Sequence, residues 1–287
     1  MALATPREPL VVAVDTGGTF TDAIGMRAGR VAVAKVPSTP HNPALAVEAA
    51  MLAVERALAG EPEPGGESET GGALAGGGEP DHGREPDDGR QPHRGHPTDV
   101  LVHGTTVATN ALLQRRGATT WLVTNAGFED LLLIGRQARP DLYALQPRRP
   151  PPLVPRERVV GVPGRLGPRG EVVVPLLPAA GDAALEAHAD NPDAPHASWA
   201  VCLLHAYAND AHERIVADAI HRRWPDAAVS LSSHVCPELR EVERATTVTA
   251  NAFVLPLMAT YLRALEPLAA RVSVMASSVS LEDGGGT

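Results

Sequence analysis

Residues 15–22 read DTGGTFTD, and they directly follow the apolar run LVVAV of residues 10–14. The apolar run predicts a buried strand that delivers the chain into a Gly-Gly turn. Gly17 and Gly18 carry no Cβ and can adopt backbone angles closed to other residues, so their N–H groups can converge on an anion. Thr19 and Thr21 can then donate hydrogen bonds to phosphate oxygens. The octet therefore predicts a phosphate-binding hairpin.

Two carboxylates flank this turn, and both would repel a bare phosphate. Asp15 and Asp22 fit beside a phosphate only if one of them holds a hydrated Mg²⁺ or orients a water molecule near the transferred phosphoryl group. The alternative is a plain hairpin turn rich in Gly, Thr and Asp. We favour the phosphate interpretation, because a plain turn needs neither paired hydroxyls nor two acids.

Three later stretches extend the pattern: HGTTVATNALL at residues 103–113, GRQARPDLY at 135–143, and SSH at 232–234 followed by residues 241–251. Together with the octet, and in this order, they resemble the hydantoinase A/5-oxoprolinase family. The octet alone also resembles the first phosphate loop of the wider actin-like ATPase superfamily. The resemblance runs from about residue 10 to about residue 275.

The resemblance implies an α/β fold of the actin-like ATPase (ribonuclease H-like) type, with a mixed, mainly parallel sheet. It implies an N-terminal domain over residues 1–180 and the start of a core domain over residues 181–287, shortened relative to the family. The sequence pattern agrees, because strand-like runs at residues 10–14, 30–36, 99–103 and 120–124 alternate with helical segments. A long amphipathic helix is predicted over residues 241–268, with Pro256 as a candidate break.

The resemblance also implies an activity, the ATP-driven and Mg²⁺-dependent ring opening of a cyclic amide or imide such as 5-oxoproline or a hydantoin. In that scheme Gly17, Gly18, Thr19 and Thr21 hold phosphates. Asp15 is the metal-binding or water-orienting carboxylate, and Asp22 supports the loop or the metal. The resemblance further implies a hydantoinase B-type partner subunit in a homo- or hetero-oligomer.

A second candidate site follows the third strand-like run. A Gly-Thr-Thr turn that opens a helix presents free N–H groups to an anion or a polarised carbonyl, which makes Thr105, Thr106 and Asn110 candidate substrate contacts. His103 is the candidate catalytic group, since a histidine can exchange protons near neutral pH. An ordinary helix cap with a histidine at the strand end explains the same residues.

Two arginines in the 135–143 stretch are further candidates. Arg136 and Arg139 could clamp a substrate carboxylate in fork geometry, although a surface salt bridge is as common a use of arginine. Further along, Asn209 or Asp210 is predicted to cap a helix whose Glu213 completes a capping box.

Composition sets the outer bounds. The chain has 287 residues, 44% of them hydrophobic, and a net charge of −9. The acidic balance argues against nucleic-acid and anionic-membrane binding, and the pattern of apolar residues predicts neither a membrane span nor a signal peptide. The expected location is the cytoplasm. Residues 60–98 are dominated by Gly, Pro and charged side chains and predict a disordered surface insertion.

Two other functional classes stay open. One is a different actin-like phosphotransferase or an acetone carboxylase-type subunit that uses the same first loop. The other is a non-catalytic, truncated relative that keeps the half-fold without ATP turnover.

Overall fold

The computed structural model describes residues 8–60, 98–138, 143–146 and 150–275, together with the backbone of residues 281–283. The predicted insertion lies outside these ranges except at its two ends, and so does Arg139. The described chain divides into two compact units, residues 1–107 with 261–287, and residues 108–260. The predicted domain boundary at residue 180 falls within a helix of the second unit and stays a prediction about family segments.

The strands are β1 Val11–Thr16, β2 Phe20–Arg27, β3 Arg30–Pro37, β4 Val100–Thr105, β5 Thr120–Asn125, β6 Val159–Val162, β7 Arg165–Leu166, β8 Val172–Val174, β9 Ser198–Val201, β10 Ala228–Leu231, β11 Arg271–Met275 and β12 Leu281–Asp283. The α-helices are α1 Pro43–Ala59, α2 Val107–Gln114, α3 Leu131–Ile134, α4 Pro178–Glu186, α5 Ala211–Arg223, α6 Ser232–Val235 and α7 Glu241–Leu265.

The first unit is built on a six-stranded mixed sheet in the order β12-β11-β4-β1-β2-β3. β1 pairs parallel with β4 and antiparallel with β2, so the hairpin turn and the end of β4 meet at one edge of the sheet. The octet continues directly into β2, which the sequence pattern missed. Its alternation of buried and exposed residues is nevertheless that of a strand with one covered face.

Helix α1 covers one face of this sheet. Its buried residues include Val47, Met51 and Val54, and a Cβ on Gly25 of β2 would lie 2.2 Å from a Val54 methyl carbon. Gly25 therefore permits the close approach of helix and strand. We call this side, which also buries Val12, Val14 and Leu101, the covered face. The opposite side is the open face.

The second unit contains a parallel sheet in the order β10-β9-β5-β6. The hairpin β7-β8 follows β6 along the chain and forms a separate two-stranded sheet. β4 and β5 thus lie in different sheets, although α2 joins them in the β-α-β succession seen in the sequence. The α/β fold is confirmed, but its strands are divided between a mixed sheet and a parallel one.

Three tryptophans fill the core of the second unit. Trp199 stacks between Trp121 and Trp224, with ring centroids 5.3 and 4.9 Å apart. Small residues complete this core and the one on the other side of the sheet, where Ala245, Val248 and Ala252 of α7 pack. Through these contacts α7 packs against the parallel sheet.

Helix α7 runs through Pro256 without a break. The segment Glu241–Leu268 is long and apolar enough to cross a membrane by length and composition alone, which the sequence pattern did not register. Its packing against the parallel sheet favours a core helix, since a buried helix of a globular unit has the same composition.

Candidate functional site

A row of four residues crosses the open face of the first unit at the end of the hairpin. Lys35 of β3, Asp22 of β2, Asp15 of β1 and Gly104 of β4 are consecutive register partners. Neighbouring strands lie about 4.8 Å apart, so the row places two carboxylates side by side between a cation and a residue without a side chain.

The two carboxylates have different surroundings. Asp22 accepts a hydrogen bond from the Lys35 Nζ at 2.7 Å, so its charge is paired. Asp15 is exposed and makes no hydrogen bond or ion pair with the part of the chain that the structure describes. A Cβ on Gly104 would lie 3.2 Å from an Asp15 carboxylate oxygen, so the glycine leaves room beside it. Asp15 is therefore the carboxylate available to a ligand.

Three residues, 17–19, connect β1 to β2 in the hairpin. The Gly17 N–H donates to the Phe20 carbonyl at 3.0 Å and is not available to an anion. Neither Gly17 nor Gly18 has a left-handed φ, which corrects the expectation that this turn uses backbone angles reserved for glycine. Gly18 and Thr19 are exposed, and their N–H groups have no backbone partner within the described ranges. These two residues present the free donors.

Ser38, which was not predicted as a site residue, stabilises the turn through hydrogen bonds. Its N–H donates to the Thr19 carbonyl at 2.9 Å, and its Oγ donates to the Gly17 carbonyl at 2.9 Å. Because that hydrogen is used, the 3.0 Å contact between Thr21 Oγ1 and Ser38 Oγ has Thr21 as donor. Thr21 is fully buried, so it supports the turn instead of donating to a bound phosphate.

A cavity of about 510 Å³ adjoins the row on the open face. Asp15, Asp22 and Gly104 line one end, and apolar residues including Ile24, Val33 and Met275 line the rest. No group of three or more His, Cys, Asp or Glu residues that could hold a metal occurs within the described ranges. A Mg²⁺ at Asp15 would therefore take most of its ligands from phosphate oxygens and water, as this ion commonly does.

His103 lies on the covered face, opposite Asp15. Its side chain has no exposed surface, and its Nε2 lies 2.7 Å from the Tyr261 hydroxyl. Burial lowers the pKa of His103 from 6.5 to about 4, although the Asp15 charge and the Val14 carbonyl act to raise it. The imidazole is neutral at pH 7 and has no exposed surface, so the geometry favours a positioning role over the predicted proton exchange.

The predicted helix cap is present at the end of β4. Thr105 Oγ1 accepts a hydrogen bond from the Val107 N–H at 3.1 Å, and the Thr106 N–H and hydroxyl both donate to the Thr16 carbonyl. These contacts fix the two strand ends to each other. Asn110 follows on α2, partly buried, and belongs to the second unit. Its role in substrate binding stays a prediction.

Arg136 does not present a free fork. In the second unit its guanidinium is hydrogen-bonded and ion-paired to Glu243, which lowers the pKa of that carboxyl together with a backbone hydrogen bond at Glu243 itself. Arg136 therefore forms a salt bridge, which was the alternative to substrate binding. Arg139 lies outside the described residues, and its role stays a prediction.

The predicted capping box is wrong, because Glu213 reaches away from its own helix. Its buried carboxylate accepts hydrogen bonds from the Leu203 N–H, the Ser232 hydroxyl and the Ser233 N–H. Buried Arg244 donates to the Leu203 carbonyl on the other side of the same residue. Both charged groups therefore fix the chain that follows β9. Only Asn209 caps as predicted, by accepting from the Ala211 N–H.

Comparison with known proteins agrees with this fold. The model of the hydantoinase/oxoprolinase N-terminal region matches residues 11–72 and 84–224. Caprolactamase subunit alpha of Pseudomonas jessenii is 27% identical over 276 residues, which cover 95% of this chain and 35% of that subunit. 5-Oxoprolinase 1 of Arabidopsis thaliana is 35% identical over 175 residues, 55% of this chain and 14% of the relative.

Among solved structures, the nucleotide-free acetone carboxylase of a study on ATP-dependent acetone carboxylation superposes with a TM-score of 0.73 at 26% identity. The superposition covers 96% of this chain and 37% of the carboxylase chain. The chain thus spans about a third of the length of the caprolactamase subunit and of the carboxylase chain.

Proposed function

Because this chain belongs to the hydantoinase/oxoprolinase family, we propose that its first unit binds the phosphates of ATP at the turn between β1 and β2, with Mg²⁺ held at Asp15. The observation that carries the proposal is the unpaired Asp15 carboxylate beside Gly104, next to the free N–H groups of Gly18 and Thr19. Backbone donors bind the phosphate oxygens there, and the carboxylate faces the cation that offsets their charge.

The proposed reaction is the ring opening of a cyclic amide. Transfer of the γ-phosphoryl group of ATP to the amide oxygen would release ADP and activate the carbonyl carbon toward water. Attack of one water and cleavage of the ring C–N bond would leave an acyl phosphate, which a second water would hydrolyse to a carboxylate and inorganic phosphate. The residues of this chain would position the phosphates, and preorganised donors facing the developing charge contribute much of the acceleration in such transfers. The similarity to caprolactamase and 5-oxoprolinase supports this substrate class.

A carboxylase-type role is the second candidate, favoured by the superposition on acetone carboxylase. In either case we propose that the chain works within a larger assembly, since the caprolactamase relative is itself named as a subunit. Phosphate release measured with 5-oxoproline, caprolactam, hydantoin and acetone separates the two candidates. Release with the lactams and not with acetone supports the amide hydrolase, and the reverse supports the carboxylase.

Calorimetric titration with Mg-ATP tests the phosphate site directly. We expect the chain to bind, and Asp15→Asn to weaken binding at least tenfold without a change in stability, because the Asp15 side chain is exposed and unpaired. Asp182→Asn is the matched control, an exposed aspartate of the second unit that is ion-paired with Arg222. Absence of heat with the unaltered chain, or equal binding by Asp15→Asn, would sink the proposal.

A further inference from the structure

Tyr261 lies on the last turns of α7, on the covered face of the first unit. We propose that its hydroxyl is a positioning group that fixes the ends of β1 and β4 beside the phosphate turn, acting through His103. The consequence for nucleotide binding rests on the proposed function, whereas the consequence for the backbone does not.

The two side chains form a buried pair. Tyr261 is 5% exposed and His103 is not exposed at all. The Tyr261 Oη lies 2.7 Å from His103 Nε2, and the rings meet edge to face with centroids 5.5 Å apart. A 2.7 Å contact inside a protein is a well-formed hydrogen bond that water does not weaken.

The direction of this bond follows from the other ring nitrogen. His103 Nδ1 lies close enough to the Val14 carbonyl for that carbonyl to raise the pKa of the ring, although the geometry falls short of a hydrogen bond. A carbonyl attracts only a donor, so the neutral ring carries its hydrogen on Nδ1. Nε2 is then an acceptor, and the Tyr261 hydroxyl donates to it.

The Tyr261 oxygen therefore keeps its lone pairs for the strand ends. Burial raises the pKa of Tyr261, and Thr16 and Thr105, register partners on β1 and β4, act to lower it, although Thr16 Oγ1 itself has no hydrogen-bond partner among the described residues. The Thr16 carbonyl receives both donors of Thr106, and Thr16 directly precedes Gly17. The Tyr261 hydroxyl is thus hydrogen-bonded to His103 of β4, two residues before Thr105 and beside the strand end that carries the turn.

A phenylalanine at this position would fill the same space without the donor. His103 Nε2 would then be buried without a partner at the end of β4. We expect the side chains to stay packed while the strand ends loosen. The loss is therefore local, in contrast to that from a large-to-small change in the core.

Amide hydrogen exchange followed by NMR tests the backbone consequence. In Tyr261→Phe we expect exchange at the Thr106 and Gly17 amides to become about tenfold faster than in the unaltered chain. Tyr207→Phe is the matched control, because Tyr207 also bonds a histidine, His205 Nδ1 at 3.2 Å, but in the second unit. It should leave both amides unchanged. Exchange within twofold of the unaltered chain in Tyr261→Phe, or equal acceleration in the control, overturns the proposal.

His103→Gln is the second variant, since a glutamine carbonyl can accept from Tyr261 in place of Nε2. Exchange closer to the unaltered chain than to Tyr261→Phe supports the hydrogen bond between residues 103 and 261 as the link to the strand ends. Exchange as fast as in Tyr261→Phe contradicts it.

Titration with Mg-ATP tests the link to binding. We expect Tyr261→Phe to raise the Kd about tenfold and Tyr207→Phe to leave it unchanged. If the unaltered chain binds no Mg-ATP, the proposed function fails and hydrogen exchange alone decides the role of Tyr261. An unchanged Kd in Tyr261→Phe, beside normal binding by the unaltered chain, overturns the link to nucleotide.

Discussion

The two faces of the mixed sheet treat the same strands in opposite ways. On the covered face, α1 and the end of α7 bury Val12, Leu101 and His103 completely. On the open face, Ile24 and Val33 are 49% and 70% exposed, and both acidic residues of the octet point outward. On the covered face Thr21 is hydrogen-bonded to Ser38 and Tyr261 to His103, whereas the Asp15 carboxylate on the open face has no partner among the described residues.

This contrast separates the residues that support the turn from the residues that are available to contact a ligand. The hydroxyl of Thr21 and the ring of His103 lie among the predicted site residues in sequence, yet they face the protein interior and shape the turn. Asp15, Gly18 and Thr19 of the same octet as Thr21 face outward. Because a strand alternates its side chains, residues that adjoin in a motif do opposite work.

The largest difference between the two faces is expected from a matched pair of side-chain truncations. Leu101→Ala removes a fully buried side chain from the covered face and should lower the free energy of unfolding by about 3 kcal/mol. Ile24→Ala removes the same number of carbons from the open face and should lower it by less than about 1 kcal/mol. Urea unfolding followed by far-ultraviolet circular dichroism measures both, and equal losses would contradict the distinction between the faces.

Acid should act through the covered face. The pKa of His103 is about 4 in the folded chain and 6.5 in the unfolded chain, so the unfolded chain binds the proton more readily. The contribution of the neutral ring is present above pH 6.5 and is lost as the pH falls toward 4, by up to about 3 kcal/mol. Unfolding measured from pH 7 to pH 4 should show a steeper loss for the unaltered chain than for His103→Gln. Parallel curves would mean that His103 titrates normally.

The smallest effect is expected on the open face. Lys35 and Asp22 are each more than half exposed, so Lys35→Met should change the free energy of unfolding by no more than about 0.5 kcal/mol. Thermal unfolding at low and high salt measures it. A loss well above 1 kcal/mol would show that this pair supports the hairpin more than an exposed ion pair can.

The sequence was sufficient for the elements that rely on local signals. The strand-like runs at residues 10–14, 30–36, 99–103 and 120–124 are all strands in the structure, with bounds within two residues of those predicted. β2 was missed because its alternating residues lie within a motif that was interpreted for chemistry. The division into two sheets was also missed, since β-α-β order alone does not state which strands pair.

The site was predicted in part. The octet located the turn and Asp15 as the available carboxylate, because these depend on adjacent residues. Ser38 and Tyr261 were not predicted, because their contacts are set by the tertiary fold. Tyr261 lies 158 residues from His103 in the chain. Glu213 was assigned to its own helix because a capping box is a local pattern, whereas its partners lie on the segments after β9 and β10.

The stacked tryptophans have a practical consequence for following this protein in solution. All three tryptophans of the sequence, Trp121, Trp199 and Trp224, belong to the second unit. Intrinsic fluorescence excited at the indole band therefore reports on that unit, and unfolding confined to the unit that carries Asp15 would leave the emission largely unchanged. The difference between an emission trace and a dichroism trace becomes a direct readout of whether the two units unfold together.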